Sequence, residues 1–366
     1  MEILNMVKWF GRWICICLFW ISNAAAQNKP FKIFLVGDAG EDPTTGETLK
    51  KLQQELNNNP NSAVVFLGDN SYKSSLWGLI PGFKGFDSSR LTQKKVRSQL
   101  DILTNYKGYA FFVPGNHDWW NLTKYGRAKN KLKMEESFIE DNLKKNKSIA
   151  NPENTFVPRA GSPGPESVEL NNHSIRIIFL DTYRLIITAF KQKQEDDFPI
   201  EKTFYHDLDS VLNDATLKHQ RIIVTAHHPL YAKGPNSRPL KKPNIFGRIK
   251  ASNSNFPACT RMSRRIKTIL KKYPGLYYAS GHVHSLQYLA GDDKNHYIVS
   301  GAGSKTNYVS KEDIVKENLV GNDHEYLLWN SKGFFEIDFS DQTEKTFLFY
   351  DNGEKKLELV PPFKKK

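Results

Sequence analysis

Cysteine is scarce: the 366 residues hold Cys15, Cys17 and Cys259, and the first two fall inside a leader-like segment. Cys259 then stands alone, which excludes an intrachain disulfide in the remaining chain and leaves stability to a core or to bound metal. Long apolar runs are scarce as well. The run from Trp13 to Ile21 is roughly ten residues, short of the roughly twenty that span a bilayer, and no other segment could span one. No internal repeat or low-complexity linker occurs, which favours one continuous domain over two. Acidic residues are outnumbered, 39 against 52 Lys and Arg for a net +13, and none occurs from Ala215 to Gly291. An anionic substrate or surface is the expectation.

What is present suffices for a folded protein. Hydrophobic residues make up 39% of the chain, enough to bury a full core, and a disordered chain is excluded. Lys8 and Arg12 precede the Trp13 to Ile21 run, and Ala24-Ala25-Ala26 offers a small-residue cleavage site. Residues 1–26 therefore read as an export signal, with the mature chain starting near Gln27 and a retained anchor as the alternative. The expected location is secreted or periplasmic. Asn121-Leu122-Thr123, Asn146-Lys147-Ser148 and Asn172-His173-Ser174 fit the glycosylation pattern, which matters only in a eukaryotic secretory pathway.

Short apolar runs then alternate with helical spacing. Phe31 to Val36 ends at Gly37-Asp38, and Leu49, Leu52 and Leu56 follow at helical intervals. Ala63 to Leu67 ends at Gly68-Asp69, and Tyr109 to Val113 runs into Pro114-Gly115-Asn116-His117-Asp118. Leu91 to Leu103 and the charged stretch Lys131 to Lys147 read as helices, while Asn151 to Pro165 reads as a polar connection. The second half repeats the alternation. Ser174 to Leu180 ends at Asp181-Thr182, Arg221 to Thr225 leads into Ala226-His227-His228, and Leu276 to Ala279 leads into Gly281-His282. Phe204 to Leu212 and Met262 to Leu270 are the helices between. After Tyr297 to Ser300 the pattern becomes all-β through Phe334 to Phe339, Thr346 to Tyr350 and Lys356 to Val360, with Asp351-Asn352-Gly353 as a hairpin turn.

In open α/β architectures ligands bind outside the carboxyl ends of strands, where Asp38, Asp69, Asn116, His227 and His282 all stand. Asp and Asn offer hard oxygen donors and His a nitrogen suited to Zn, Fe or Mn, so the set suits a dinuclear centre with one shared carboxylate. Taken singly, each has a plainer account. A Gly-Asp after a strand is most often a turn or helix cap, Asn116 a turn residue, His117 an exposed loop residue and His227 a strand end. Five strand ends with fitting ligand types make that account improbable for the set.

These segments, GDAG at Asp38, GDNSY at Asp69, GNHD at Asn116, VTAH ending at His227 and GHVH at His282, together resemble the calcineurin-like metallophosphoesterase superfamily. Tyr72, three positions after Asp69, is similar to the purple acid phosphatases. Gly281 to Leu289 followed by Ser300-Gly301-Ala302-Gly303 looks most like their small, tartrate-resistant type. The resemblance covers about Phe31 to Pro362. It implies an α/β (α+β) four-layer sandwich, two mixed β-sheets flanked by helices, forming a single domain over 27–366 with its motif core at 31–305 and closing hairpin strands within 333–361. It also implies two metal ions. Fe(III) would sit on Asp38, Asp69, Tyr72 and His284, and Fe(II), Zn or Mn on Asp69, Asn116, His227 and His282. His117 matches the histidine that assists the leaving group. Independently, a phenolate is a hard anionic donor that favours trivalent iron, although a tyrosine met alone would be assigned to the core.

The implied reaction is hydrolysis of phosphate monoesters. Two cations lower the pKa of water from about 15.7 towards neutrality, providing hydroxide, and clamp the attacking and leaving oxygens. His228 is a candidate substrate contact, with an outer supporting role and simple exposure as alternatives. Asp118 is expected to orient the GNHD turn. Trp119 and Trp120 are expected to pack beneath the pocket, with walling it as the alternative, and Trp77 and Phe83 to form a surface loop or a lid. The basic stretch is either a solvated face or a funnel for polyanions that includes Lys241, Lys242 and Arg248. A phosphodiesterase or nuclease on the same core and a non-enzymatic binder of anionic polymer are the alternative functions. The chain is expected to be a monomer with no dedicated protein partner, acting on a phosphorylated small molecule or a polyanion.

Overall fold

Along β1 (Lys32–Val36), Ile33 and Leu35 enter one hydrophobic cluster while Phe34 and Val36 enter another. Strand residues point to alternate faces, so a strand with no polar face must be covered on both sides. The computed structural model describes residues 30–42, 44–72, 90–119, 125–146, 148–191, 199–234, 257–312, 325–339, 344–350 and 356–359. The leader at 1–26, Trp77, Phe83, Trp120, Lys241, Lys242, Arg248 and the Asp351-Asn352-Gly353 turn lie outside the described residues.

The strands form two sheets. A six-stranded sheet runs β13 (Lys356–Leu359), β12 (Lys345–Tyr350), β11 (Gly333–Asp338), β1, β2 (Ser62–Phe66), β3 (Tyr109–Phe112). A seven-stranded sheet runs β10 (Glu325–Leu328), β8 (Leu286–Ala290), β9 (His296–Ser300), β7 (Tyr277–Ser280), β6 (Arg221–Ala226), β5 (Ile175–Leu180), β4 (Glu166–Leu170). Both are mixed. The β1–β2–β3 and β5–β6–β7–β9 pairings are parallel and the others antiparallel. β12 and β13 pair antiparallel, as the hairpin reading expects.

One cluster lies between the sheets, with Ile33, Leu35, Val65 and Phe111 from the first meeting Ile177, Phe179, Ile223 and Tyr277 from the second. The Phe111 and Phe179 rings, 4.8 Å apart, bridge the two. Helices cover the opposite faces. In α1 (Glu47–Asn58), Leu49, Leu52 and Leu56 are buried at the 3–4 spacing of one helix face, each contributing about 2 kcal/mol of apolar burial. The other helices are α2 (Arg90–Asp101), α3 (Tyr125–Asn146), α4 (Thr182–Lys191), α5 (Pro199–Leu217) and α6 (Pro257–Leu270), giving two mixed sheets flanked by helices. Among the described residues no helix is long and apolar enough to cross a membrane.

Four elements carry no expectation from the sequence: β4, β8, β10 and α4. The apolar run in α4 could pass for a strand, but Asp181 Oδ1 accepts the Arg184 N–H at 2.9 Å and starts a helix there. Cys259 is buried and forms no disulfide among the described residues. Trp119 is fully buried and its indole N–H donates to Asp181 Oδ2 at 2.8 Å, which is the packing role expected of it.

Candidate metal centre

The parallel pairing of β1, β2 and β3 brings their carboxyl ends to one edge, and the ends of β6 and β7 meet them from the other sheet. Backbone bonds from Gly37 N to Ser300 O (2.7 Å), Asp38 N to Gly68 O (2.9 Å) and Gly281 N to His227 O (3.0 Å) lace these turns together. Asp38, Asp69 and His282 sit at φ of 57°, 55° and 68°. This left-handed conformation is uncommon outside glycine and costs about 1 kcal/mol or more per residue. The neighbouring glycines answer to space. A side chain on Gly115 would collide with the Asp69 backbone and carboxylate, and one on Gly68, itself at φ +90°, would come within 2.7 Å of His227 Nδ1.

Asp38, Asp69 and His227 are buried, and their ligand-type atoms lie within 4.8 Å of one another. The Tyr72 hydroxyl donates to Asp38 Oδ1 at 2.5 Å and lies 3.2 Å from His284 Nε2. The His282 N–H donates to the other Asp38 oxygen at 2.7 Å. On the far side of Asp69, the Asn116 Oδ1 is 3.0 Å from both His227 Nε2 and His282 Nδ1. All seven residues expected to hold metal are therefore neighbours. His117 is half-buried beside them. Its N–H donates to Asp69 Oδ1 at 2.8 Å, and its ring lies 4.5 Å from that of Tyr72.

This arrangement calls for positive charge. His227 Nδ1 lies 2.9 Å from the Leu67 carbonyl, which can only accept, so the proton sits on Nδ1. Nε2 of the neutral ring is then an acceptor facing acceptors, Asn116 Oδ1 at 3.0 Å and Asp69 Oδ1 at 3.4 Å. A proton or a metal cation between them reconciles these contacts. In the polypeptide by itself burial opposes a charged imidazole, but the Asp69 and Asp38 carboxylates outweigh it and push His227 up to about 9. Burial would raise Asp69, yet the positive His227 and His117 hold it well below the usual range. Burial, then the Asp38 and Asp69 charges, push Tyr72 well up. Burial and the His227 charge press His282 down to about 3. The buried oxygens and lone pairs thus fit a pair of cations.

The chain matches the calcineurin-like phosphoesterase family over residues 31–286. It belongs to that family. No curated protein matches it in sequence. Among solved structures, GAP50, the anchor in the inner membrane complex of Plasmodium, aligns with a TM-score of 0.56 at 18% identity over 92% of this chain and 90% of its own. A dimetal phosphatase from Danio rerio aligns with a TM-score of 0.50 at 12% identity over 90% of this chain and 99% of its own. At such identities the likeness shows the fold alone.

In this calcineurin-like phosphoesterase His228 is 1% exposed, which excludes simple exposure. Its Nδ1 meets Thr182 Oγ1 at 2.9 Å, and its ring lies 4.4 Å from that of His282. Burial, then the His282 and His227 charges, hold it well below 6.5. Asp118 ties two turns together, accepting the N–H groups of Gly115 (2.7 Å) and Ser71 (3.1 Å) and the Asn70 amide (3.2 Å). Burial, then the Asp69 charge, raise Asp118 to about 7.

Several supporting residues have no signal in the sequence. Glu135 lies fully buried on α3, and burial, then the Asp118 charge, push its carboxyl well up. Lys95, on α2, donates to the Tyr72 carbonyl at 2.8 Å, and Gln99 to the Asn70 carbonyl at 2.7 Å. Ser304 and Asn307 hold Asp38 and His284 from a loop just past the Ser300 to Gly303 segment, whose proximity to the motifs was the one available hint.

Several cations of the basic stretch that lie among the described residues are paired with carboxylates. Lys218 pairs with Asp214 (3.0 Å), Arg221 with Glu344 (3.0 Å), Lys233 with Glu325 (2.6 Å), Arg265 with Glu201 (3.1 Å) and Lys272 with Asp209 (2.9 Å). The acids that are missing locally come from other segments.

Proposed function

We propose that this calcineurin-like phosphoesterase is an exported phosphatase of the purple acid type that hydrolyses phosphate monoesters. The observation that carries this reading is the Tyr72 hydroxyl, buried within hydrogen-bonding reach of both Asp38 and His284. A phenol adds a hard anionic donor to two carboxylates, which suits trivalent iron. Asp38, Asp69, Tyr72 and His284 would hold Fe(III), and Asp69, Asn116, His227 and His282 would hold Fe(II), Zn or Mn. Such a pair supplies a nucleophilic water of lowered pKa and a positive clamp on the phosphoryl oxygens.

The protein's own groups do the rest. Asp69 joins the two sides and fixes the GNHD turn by accepting the His117 N–H. Asn116, as a neutral amide, adds an oxygen without adding negative charge. His117, a half-buried imidazole outside the proposed ligand set, would donate a proton to the leaving oxygen or stabilise its charge. GAP50 is described as an anchor, a role that by itself asks for no turnover. A full donor set with an accessible His117 speaks for an enzyme here.

The test is metal analysis and a visible spectrum of purified protein, with turnover of an aryl phosphate monoester and of the corresponding diester. Iron with a tyrosinate band that vanishes in Tyr72→Phe, and hydrolysis of the monoester alone, are expected. Stoichiometric metal without iron would remove the purple acid assignment. Diester cleavage would favour the phosphodiesterase reading, and no cleavage of either the binding one.

A further inference from the structure

One loop, residues 303–307, reaches three members of the Asp38 side. Ser304 Oγ donates to the Asp38 carbonyl at 2.6 Å and accepts the Glu41 N–H at 3.0 Å. Asn307 Oδ1 lies 2.9 Å from His284 Nδ1. The first contact anchors the Asp38 main chain, and the second orients the His284 imidazole as partners behind metal ligands do. Lys305, between them, does something else. Its Nζ stands 3.6 Å from the centre of the Tyr72 ring.

That ammonium is underused. It has three N–H donors, yet among the described residues it makes no hydrogen bond, and its ion-pair partner Glu41 is 3.9 Å away. A pair at that distance with side chains 29% and 44% exposed is weak. A ring face attracts the charge without taking up its N–H groups. The Tyr72 ring also carries His117 at 4.5 Å, so a cation and a partly open imidazole flank the same phenol. A dianionic phosphoryl group arriving beside Tyr72 would meet that positive charge.

We propose that Lys305 is a phosphate-binding residue. Its ammonium receives a non-bridging oxygen of the ester's phosphoryl group and of the inorganic phosphate left after hydrolysis. This rests on the phosphatase reading above, and it adds a contact that the seven metal-holding residues and His117 do not provide. A lysine that only props the Tyr72 ring would leave phosphate affinity unchanged when its charge is removed and its alkyl chain kept.

The experiment titrates inorganic phosphate into metal-loaded wild type, Lys305→Met and Lys305→Arg by calorimetry, with metal content and ester kinetics measured on each. Lys305→Met should weaken phosphate about tenfold, the worth of one charge-assisted hydrogen bond, and raise KM for a small monoester similarly. The fall in kcat should be smaller, metal content should hold, and Lys305→Arg should recover most of the affinity. Equal phosphate affinity in wild type and Lys305→Met would overturn the proposal, as would loss of metal from Lys305→Met. If wild type binds phosphate but hydrolyses no ester, the phosphatase reading falls. The calorimetric comparison then still decides the role of Lys305.

Discussion

Around Asp69, the Asp38 side of the cluster gathers a second carboxylate, a phenol and one imidazole, whereas the Asn116 side gathers an amide and two imidazoles. The first set is anionic once the phenol is ionised; the second is neutral. Hard anionic oxygens suit a trivalent ion, and nitrogen-rich neutral sites suit a borderline divalent one. The supports differ too. Loop 303–307 holds the Asp38 side from two distances in sequence, Ser304 lying 266 residues from Asp38 and Asn307 lying 23 from His284. The Asn116 side is braced at the strand ends, through the Leu67 carbonyl and the tie from the His282 N–H to Asp38. An asymmetric set of donor groups is thus built into the polypeptide.

The harshest way to break this asymmetry is to remove what the sides share. Asp69→Asn takes away the common charge and should reduce turnover to background, with both ions lost on metal analysis. His117→Ala should act differently. It removes a proton donor and no proposed metal ligand, so turnover should fall by about 10²–10⁴ while metal content and the visible spectrum stay as in wild type. Loss of metal from His117→Ala would mean that the division of roles between Asn116 and His117 is wrong.

The same contrast explains how much could be read from the sequence. Each buried strand run that ends in glycine and a polar residue marks a carboxyl end, so β1, β2, β3, β6 and β7 and the residues after them were legible. Glycine was part of that signal because turns as close as those at Gly68 and Gly115 leave no room for a side chain. Supports that arrive from elsewhere were not legible. Glu135 sits in a stretch whose charge suggests solvent, yet it is buried beside Asp118. The 215–291 stretch holds no acid of its own, but some of its cations, Arg265 and Arg221 among them, pair with Glu201 and Glu344 from outside it. In α4, Leu185-Ile186-Ile187 fits a strand until Asp181 caps the first turn. Charge runs and short apolar runs are local quantities. Their partners are set by topology.

The finest test concerns those distant supports. Asn307 meets His284 Nδ1 at 2.9 Å and touches nothing on the Asn116 side that any observed hydrogen bond reports. Removing such a partner typically costs about 10- to 100-fold in metal affinity. Asn307→Ala should therefore weaken only the ion beside Tyr72, bleaching the tyrosinate band under a chelator that leaves the second ion in place. If both ions leave together, the two sides are one cooperative unit. The separate anchoring of His284 by the 303–307 loop would then have no bearing on which ion each side holds.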